Sequence, residues 1–225
     1  MSHPVIPAPA RFEGADGQFA PQSGTPIAYP AVPELAHIAE RFSQEISRRT
    51  GLRMVPSAAG HPEPGEPSIQ IELAAGAELG DKPQGLSPAG GSPPDERYDL
   101  TVTADQVRVR AAEPVGVARA LTTLTQLLVA SPGRLPGARI ADAPRYAWRG
   151  LSLDLARTYI TSAEIRRVID LLALYKLNVL HLHLTDDQSW RLPVGRPAGT
   201  ETPYSKDDLR ALVAYAADRF VTVVP

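Results

Sequence analysis

Residues 176–191 read KLNVLHLHLTDDQSWR, and the fold is decided there. Val179 to Leu184 (VLHLHL) is a strand of β-branched and apolar residues, closed by the turn-forming Asp186-Asp187. Side chains two apart on a strand point the same way, so His181 and His183 share a face. Working backwards, Gly150 to Leu155 (GLSLDL) is a second buried-strand candidate. Between the two, Thr161-Ser-Ala-Glu164 is a capping box that opens a helix, with Ile165, Val168, Ile169 and Leu172 on its buried face. Working forwards, Ser205-Lys-Asp-Asp208 opens another helix, expected to turn Leu209, Leu212, Val213 and Ala216 inward, and Phe220 to Val224 is a third strand. The order βαβαβ requires parallel strands joined by helical crossovers. It fits the opening of a (β/α)₈ TIM barrel, of which this is under half. An uncovered strand at the end of the chain has open edges, so more chain is expected after Pro225.

Upstream of Pro144 the rhythm differs. Residues 1–30 are rich in Pro, Gly and Ala, with short strands expected at Val5-Ile6 and at Ile27 to Tyr29. From Pro33 a helix places Leu35, Ile38, Ala39, Phe42 and Ile46 on one face, with Gly51 as its stop. Ser68 to Ala74 alternates Ile69, Ile71 and Leu73 with polar neighbours, as a strand does. Residues 75–96, full of Gly, Pro and Ser, are expected to form a loop. A hairpin follows: Tyr98, Leu100 and Val102 on one arm, Val107, Val109 and Ala111 on the other, Ala104-Asp105 in the turn. Pro114 then opens a helix with Val117, Leu121, Leu124 and Leu128 on one face. This order predicts an α+β domain, one antiparallel sheet with helices packed on it. The boundary falls near Ala143-Pro144, giving domains 1–143 and 144–225.

The composition excludes several classes. The chain has 225 residues, 43% hydrophobic and 21% charged, with a formal net charge of -2. Lys and Arg form no dense run, so neither nucleic acid nor an anionic membrane surface is an expected partner. With no cysteine, disulfides, thiol nucleophiles and Cys-ligated zinc are ruled out. The start, MSHPVIPAPA, lacks a basic segment followed by an apolar run, and no stretch is long and apolar enough to span a bilayer. The expected compartment is the cytoplasm.

Working residues of a βα barrel lie at the C-terminal ends of its strands. The candidates there are Arg157, Asp186 and Asp187, with His183 and Trp190 behind them. A guanidinium offers a planar fork of donors to two adjacent oxygens and keeps its charge. Asp186 also suits a simple turn residue. His181 and His183 admit a second reading, because an HxH pair on a barrel strand begins the site of many metal-dependent hydrolases. That alternative is an amidohydrolase-like barrel. The simpler assignment makes both histidines hydrogen-bonded interior residues, with no metal and no cofactor. Trp148, Arg149 and Asp154 are assigned to the packing and ion pairing of the first barrel strand.

At these residues the chain resembles glycoside hydrolase family 20, the β-N-acetylhexosaminidases. PRYAWRGLSLDLAR (144–157) is similar to the segment that opens the family's catalytic barrel, and KLNVLHLHLTDDQSWR to its second strand and following loop. YSKDDLRALVAYAADRFVTVVP (204–225) resembles the second barrel helix and third strand. VIPAPA, RYDLTVT, VRVRAA and GVARALTTLTQLL look like the accessory domain that precedes the barrel. The resemblance implies hydrolysis of terminal, non-reducing N-acetylglucosamine or N-acetylgalactosamine from oligosaccharides or glycoconjugates. It implies a retaining mechanism in which the substrate's own acetamido oxygen attacks the anomeric carbon. Arg157 then matches the family's substrate arginine, and Asp186 an aspartate that supports the sugar site and a downstream histidine. The catalytic Asp-Glu pair is expected beyond Pro225, so this chain alone is expected to bind sugar at most, without turnover. The sequence departs from the family pattern at Thr158-Tyr159, where His and an aromatic are usual, at Ser189 in place of Gly, and at Arg219-Phe220 in place of Arg-Gly. The loop from Leu192 to Pro203 is also shorter than usual.

Overall fold

The computed structural model describes residues 3–58, 65–74, 84–88, 90–193 and 204–225. Part of the loop expected at 75–96, and most of the one from Leu192 to Pro203, lies outside them. The chain divides into two compact units, Met1–Gln84 with Pro94–Arg145, and Gly85–Pro93 with Tyr146–Pro225.

The first unit contains β1 (Arg11–Phe19), β2 (Pro26–Tyr29), α1 (Pro33–Thr50), β3 (Val55–Ala58), β4 (Ser68–Leu73), β5 (Tyr98–Val102), β6 (Gln106–Ala111), α2 (Pro114–Ala130) and β7 (Leu135–Asp142). Its seven strands form one sheet in the order β1-β7-β5-β6-β4-β2-β3. The sheet is mixed, which corrects the antiparallel expectation: β2 pairs in parallel with both β3 and β4, and β4 pairs in parallel with β6. For β2 and β3 the cause is the crossover through α1, which carries the chain back to the end where β2 began. Val5-Ile6 belongs to no strand. Instead, β1 forms the sheet edge with Phe19 as its one buried residue, so it lacks the alternation that announces a strand.

Both helices of this unit start with proline, whose fixed φ suits the first turn. The predicted face of α1 is buried residue for residue, and Gly51 ends the helix at φ 78°, donating its N–H to the Ser47 carbonyl. α2 is buried almost all round. A Cβ on Gly116 would stand 2.6 Å from the Arg97 carbonyl oxygen, so only glycine lets this helix approach so closely. Polar groups are taken inside with partners. Arg119 Nε donates to Glu96 at 2.6 Å. The Tyr98 hydroxyl lies 2.5 Å from Thr123 Oγ1 and donates to Asp142 at 3.0 Å. Burial, with the Asp142 charge beside it, holds the Tyr98 phenol well above its ordinary pKa.

The second unit contains β8 (Gly150–Asp154), α3 (Ser162–Leu174), β9 (Val179–His183), α4 (Lys206–Ala217) and β10 (Thr222–Val224). The strands are parallel in the order β10-β9-β8, as βαβαβ demands. Leu180 and Leu182 face the helices and pack with Ile165, Ile169, Leu172, Leu212 and Ala216. Thr161 and Ser205 each close a full capping box, with Glu164 and Asp208 respectively.

Three expectations fail here. Val213 is 51% exposed and Trp148 49%, so neither packs inward. Phe220 is not in the third strand; it turns the chain out of α4 at φ 56°, donating its N–H to the Ala217 carbonyl. A described helix long and apolar enough to cross a membrane is absent.

Candidate functional site

Parallel register sets the site. Asp154, the last residue of β8, lies opposite His183, the last residue of β9, so both chains leave the sheet at the same end. Just beyond it, Arg157 turns back on Asp154. Its backbone N–H donates to one carboxylate oxygen at 3.1 Å, and its guanidinium to the other at 2.7 Å. The same guanidinium places Nε 3.4 Å from Asp186 Oδ2. The strand ends thus bring together Arg157 and Asp186, two of the residues picked from sequence.

Asp186 combines both roles weighed for it. Its Oδ1 accepts the N–H groups of Gln188 and Ser189 at 2.8 and 3.0 Å, while its own N–H donates to the Ser189 carbonyl. These bonds build the turn and aim Oδ2 at Arg157. Only 10% of the Asp186 side chain is exposed. Oδ2 and the facing His183 Nε2, 3.7 Å apart, are both buried without a hydrogen bond. Asp187 sits exposed at the turn's tip, and the half-buried Trp190 pairs through its backbone with Thr185.

His181 points along the same face as His183, but its ring nitrogen meets Ser152 Oγ at 3.1 Å instead. The group that could offer metal ligands is therefore Asp154, His183 and Asp186, whose candidate atoms lie within 4.8 Å of one another, and not the HxH pair. A cation already compensates the two carboxylates there: the Arg157 guanidinium touches both. Asp154 makes the ion pair that the sequence assigned to it, and its partner is Arg157, which brings it to the candidate site; its place three before Arg157, at a strand's C-terminal end, was the available signal.

Four carboxyls among the described residues of this unit are held below their ordinary range. For Asp154 the largest cause is the Arg157 N–H, and for Asp186 the Gln188 N–H, with the guanidinium helping in both. For Glu164 and Asp208 it is the capping hydroxyl of Thr161 and of Ser205. A carboxyl depressed on folding stabilises the fold above its unfolded value, and the effect disappears as pH falls through the lower folded value. Stability is therefore expected to be level from neutral pH down to about 5 and to decline below about 4. Urea unfolding followed from pH 7 to 3 measures this. Glu164→Gln with Asp208→Asn should flatten the decline, and an unchanged slope in that variant would remove the caps as its source.

The catalytic-domain model of glycosyl hydrolase family 20 matches residues 146–225, and the family's domain 2 matches residues 2–143. The chain belongs to glycosyl hydrolase family 20. The β-N-acetylhexosaminidase of Cellulomonas fimi is 37% identical over 239 residues, a match covering 98% of this chain and 45% of that protein. The β-hexosaminidase of Porphyromonas gingivalis is 29% identical, with 98% of this chain and 29% of that protein covered. Among solved structures, the Streptomyces plicatus N-acetyl-β-hexosaminidase in complex with Thio-NAglucal superposes with a TM-score of 0.80 at 31% identity, covering 98% of this chain and 45% of that one. The Streptomyces coelicolor family 20 enzyme gives 0.80 at 32%, with the same coverage. The chain thus spans less than half the length of these relatives.

Proposed function

We propose that this chain supplies the hydroxyl-gripping side of the sugar site of a β-N-acetylhexosaminidase. Arg157 and Asp186 hold the hydroxyls of a terminal, non-reducing N-acetylhexosamine, while Asp154 holds Arg157. The single observation that carries this reading is the 3.4 Å approach of Arg157 Nε to Asp186 Oδ2 at the end of two parallel strands. A fork of fixed donors beside a fixed acceptor suits vicinal hydroxyls, which donate and accept at once. The reaction is retaining and substrate-assisted, with the acetamido oxygen as nucleophile. The product-bound relative from Streptomyces plicatus, a complex with GlcNAc, supports the choice of sugar. The part assigned to this chain is binding and orientation, which serve catalysis by holding the anomeric centre in a reactive geometry.

NMR titration tests this. N-acetylglucosamine is expected to shift the Arg157 and Asp186 signals, while N-methylacetamide, which carries the amide without the hydroxyls, leaves them in place. Sugar-induced shifts elsewhere, or equal shifts with the amide alone, would overturn the assignment.

A further inference from the structure

A second arginine lies buried behind the site. Arg191, at the end of the loop that begins with Asp186, is 2% exposed. Its guanidinium reaches back to the end of β8, where Nε donates to the Leu155 carbonyl at 2.9 Å and Nη2 to the Ala156 carbonyl at 3.0 Å. These are the two residues between Asp154 and Arg157. The backbone of Arg191 is tied as well: its N–H donates to the Leu184 carbonyl, and its own carbonyl accepts the Tyr204 N–H. The guanidinium carbon lies 5.6 Å from the centre of the Tyr159 ring, which stacks on Tyr204 at 5.4 Å. Tyr204 in turn donates its hydroxyl to the Ile160 carbonyl at 2.5 Å. One buried cation therefore joins the loop that carries Asp186 to the turn that carries Arg157.

We propose that Arg191 is a positioning residue, whose fork on the Leu155 and Ala156 carbonyls holds Arg157 against Asp186. Two adjacent carbonyls suit a planar fork of donors, and an ammonium cannot match that geometry. The proposal deepens the sugar-site reading, and its importance for substrate rests on that reading. The placement itself can be tested without sugar.

The test is a double-mutant cycle on this chain, read by carbon-detected NMR titration of the Asp186 carboxyl. In the wild-type background, Arg157→Ala should raise the Asp186 midpoint toward the ordinary carboxylate range. In the Arg191→Lys background, Arg157→Ala should raise it no further, because the guanidinium has already left, and the α3 and α4 amide signals should stay in place. If Arg157→Ala keeps its full effect in a folded Arg191→Lys chain, the proposal falls. It falls equally if both Arg191→Lys and Arg191→Gln scatter the α3 and α4 signals, since Arg191 would then hold the unit as a whole. N-acetylglucosamine titration of the wild-type chain is run alongside. Absence of a sugar response at Arg157 sinks the sugar-site reading, and the ligand-free cycle still decides the role of Arg191.

Discussion

Arg157→Ala is expected to abolish the N-acetylglucosamine response of this chain while leaving its fold intact. A hydrogen bond to a charged donor contributes about 1.5–3 kcal/mol, so losing even one weakens binding roughly ten- to a hundredfold. The fold should tolerate the change, because 59% of the Arg157 side chain is exposed and the Asp186 carboxylate keeps the N–H groups of Gln188 and Ser189 as partners. Arg157→Lys should recover only part of the affinity, since a single ammonium cannot form the fork. The check is the same NMR titration, with circular dichroism as the control for folding. Retained affinity in a folded Arg157→Ala chain removes this residue from the site.

The second large effect is on stability and concerns the first unit. Arg119→Met removes the guanidinium that meets the buried Glu96 carboxylate, both side chains of the pair being nearly sealed at 4% and 2% exposure. Removing one member of a buried ion pair costs about 3–5 kcal/mol, whereas replacing both is often close to neutral. Urea unfolding should therefore show a large loss for Arg119→Met and substantial recovery for Arg119→Met with Glu96→Gln. A single variant within about 0.5 kcal/mol of wild type, the range of an ordinary surface change, would contradict the buried pair.

The two effects belong to different levels of the molecule, and they differ in how far the sequence announces them. Arg157 stands beside a strand with a recognisable period and inside a stretch that resembles the opening of a family 20 barrel. The Glu96–Arg119 pair joins the approach to β5 with the middle of α2. Nothing in the local text around Arg119, which reads GVARALTTL, separates it from an ordinary solvated helix arginine.

Helix faces and caps were legible because they are short-range. Leu35 to Ile46 repeats within one helix, and Thr161 with Glu164 closes a ring only three residues wide. Val213 misled for the same reason: helical spacing locates a stripe, but the neighbour across the interface decides how wide the buried part of it is. Phe220 misled because an apolar run says nothing of the positive φ that ends a helix before the strand begins.

The sequence by itself determined the βαβαβ order, the buried faces of α1 and α3 and both capping boxes, and it named Arg157 and Asp186 as candidates. Tertiary structure alone decided that the first sheet is mixed, that β1 lies along its edge, that Asp154 belongs beside Arg157, and that Arg191 reaches the carbonyls of Leu155 and Ala156. The reason is one of range. A period or a cap is set by torsions and sterics within a few residues, whereas pairing and convergence depend on which distant segments close the chain most favourably.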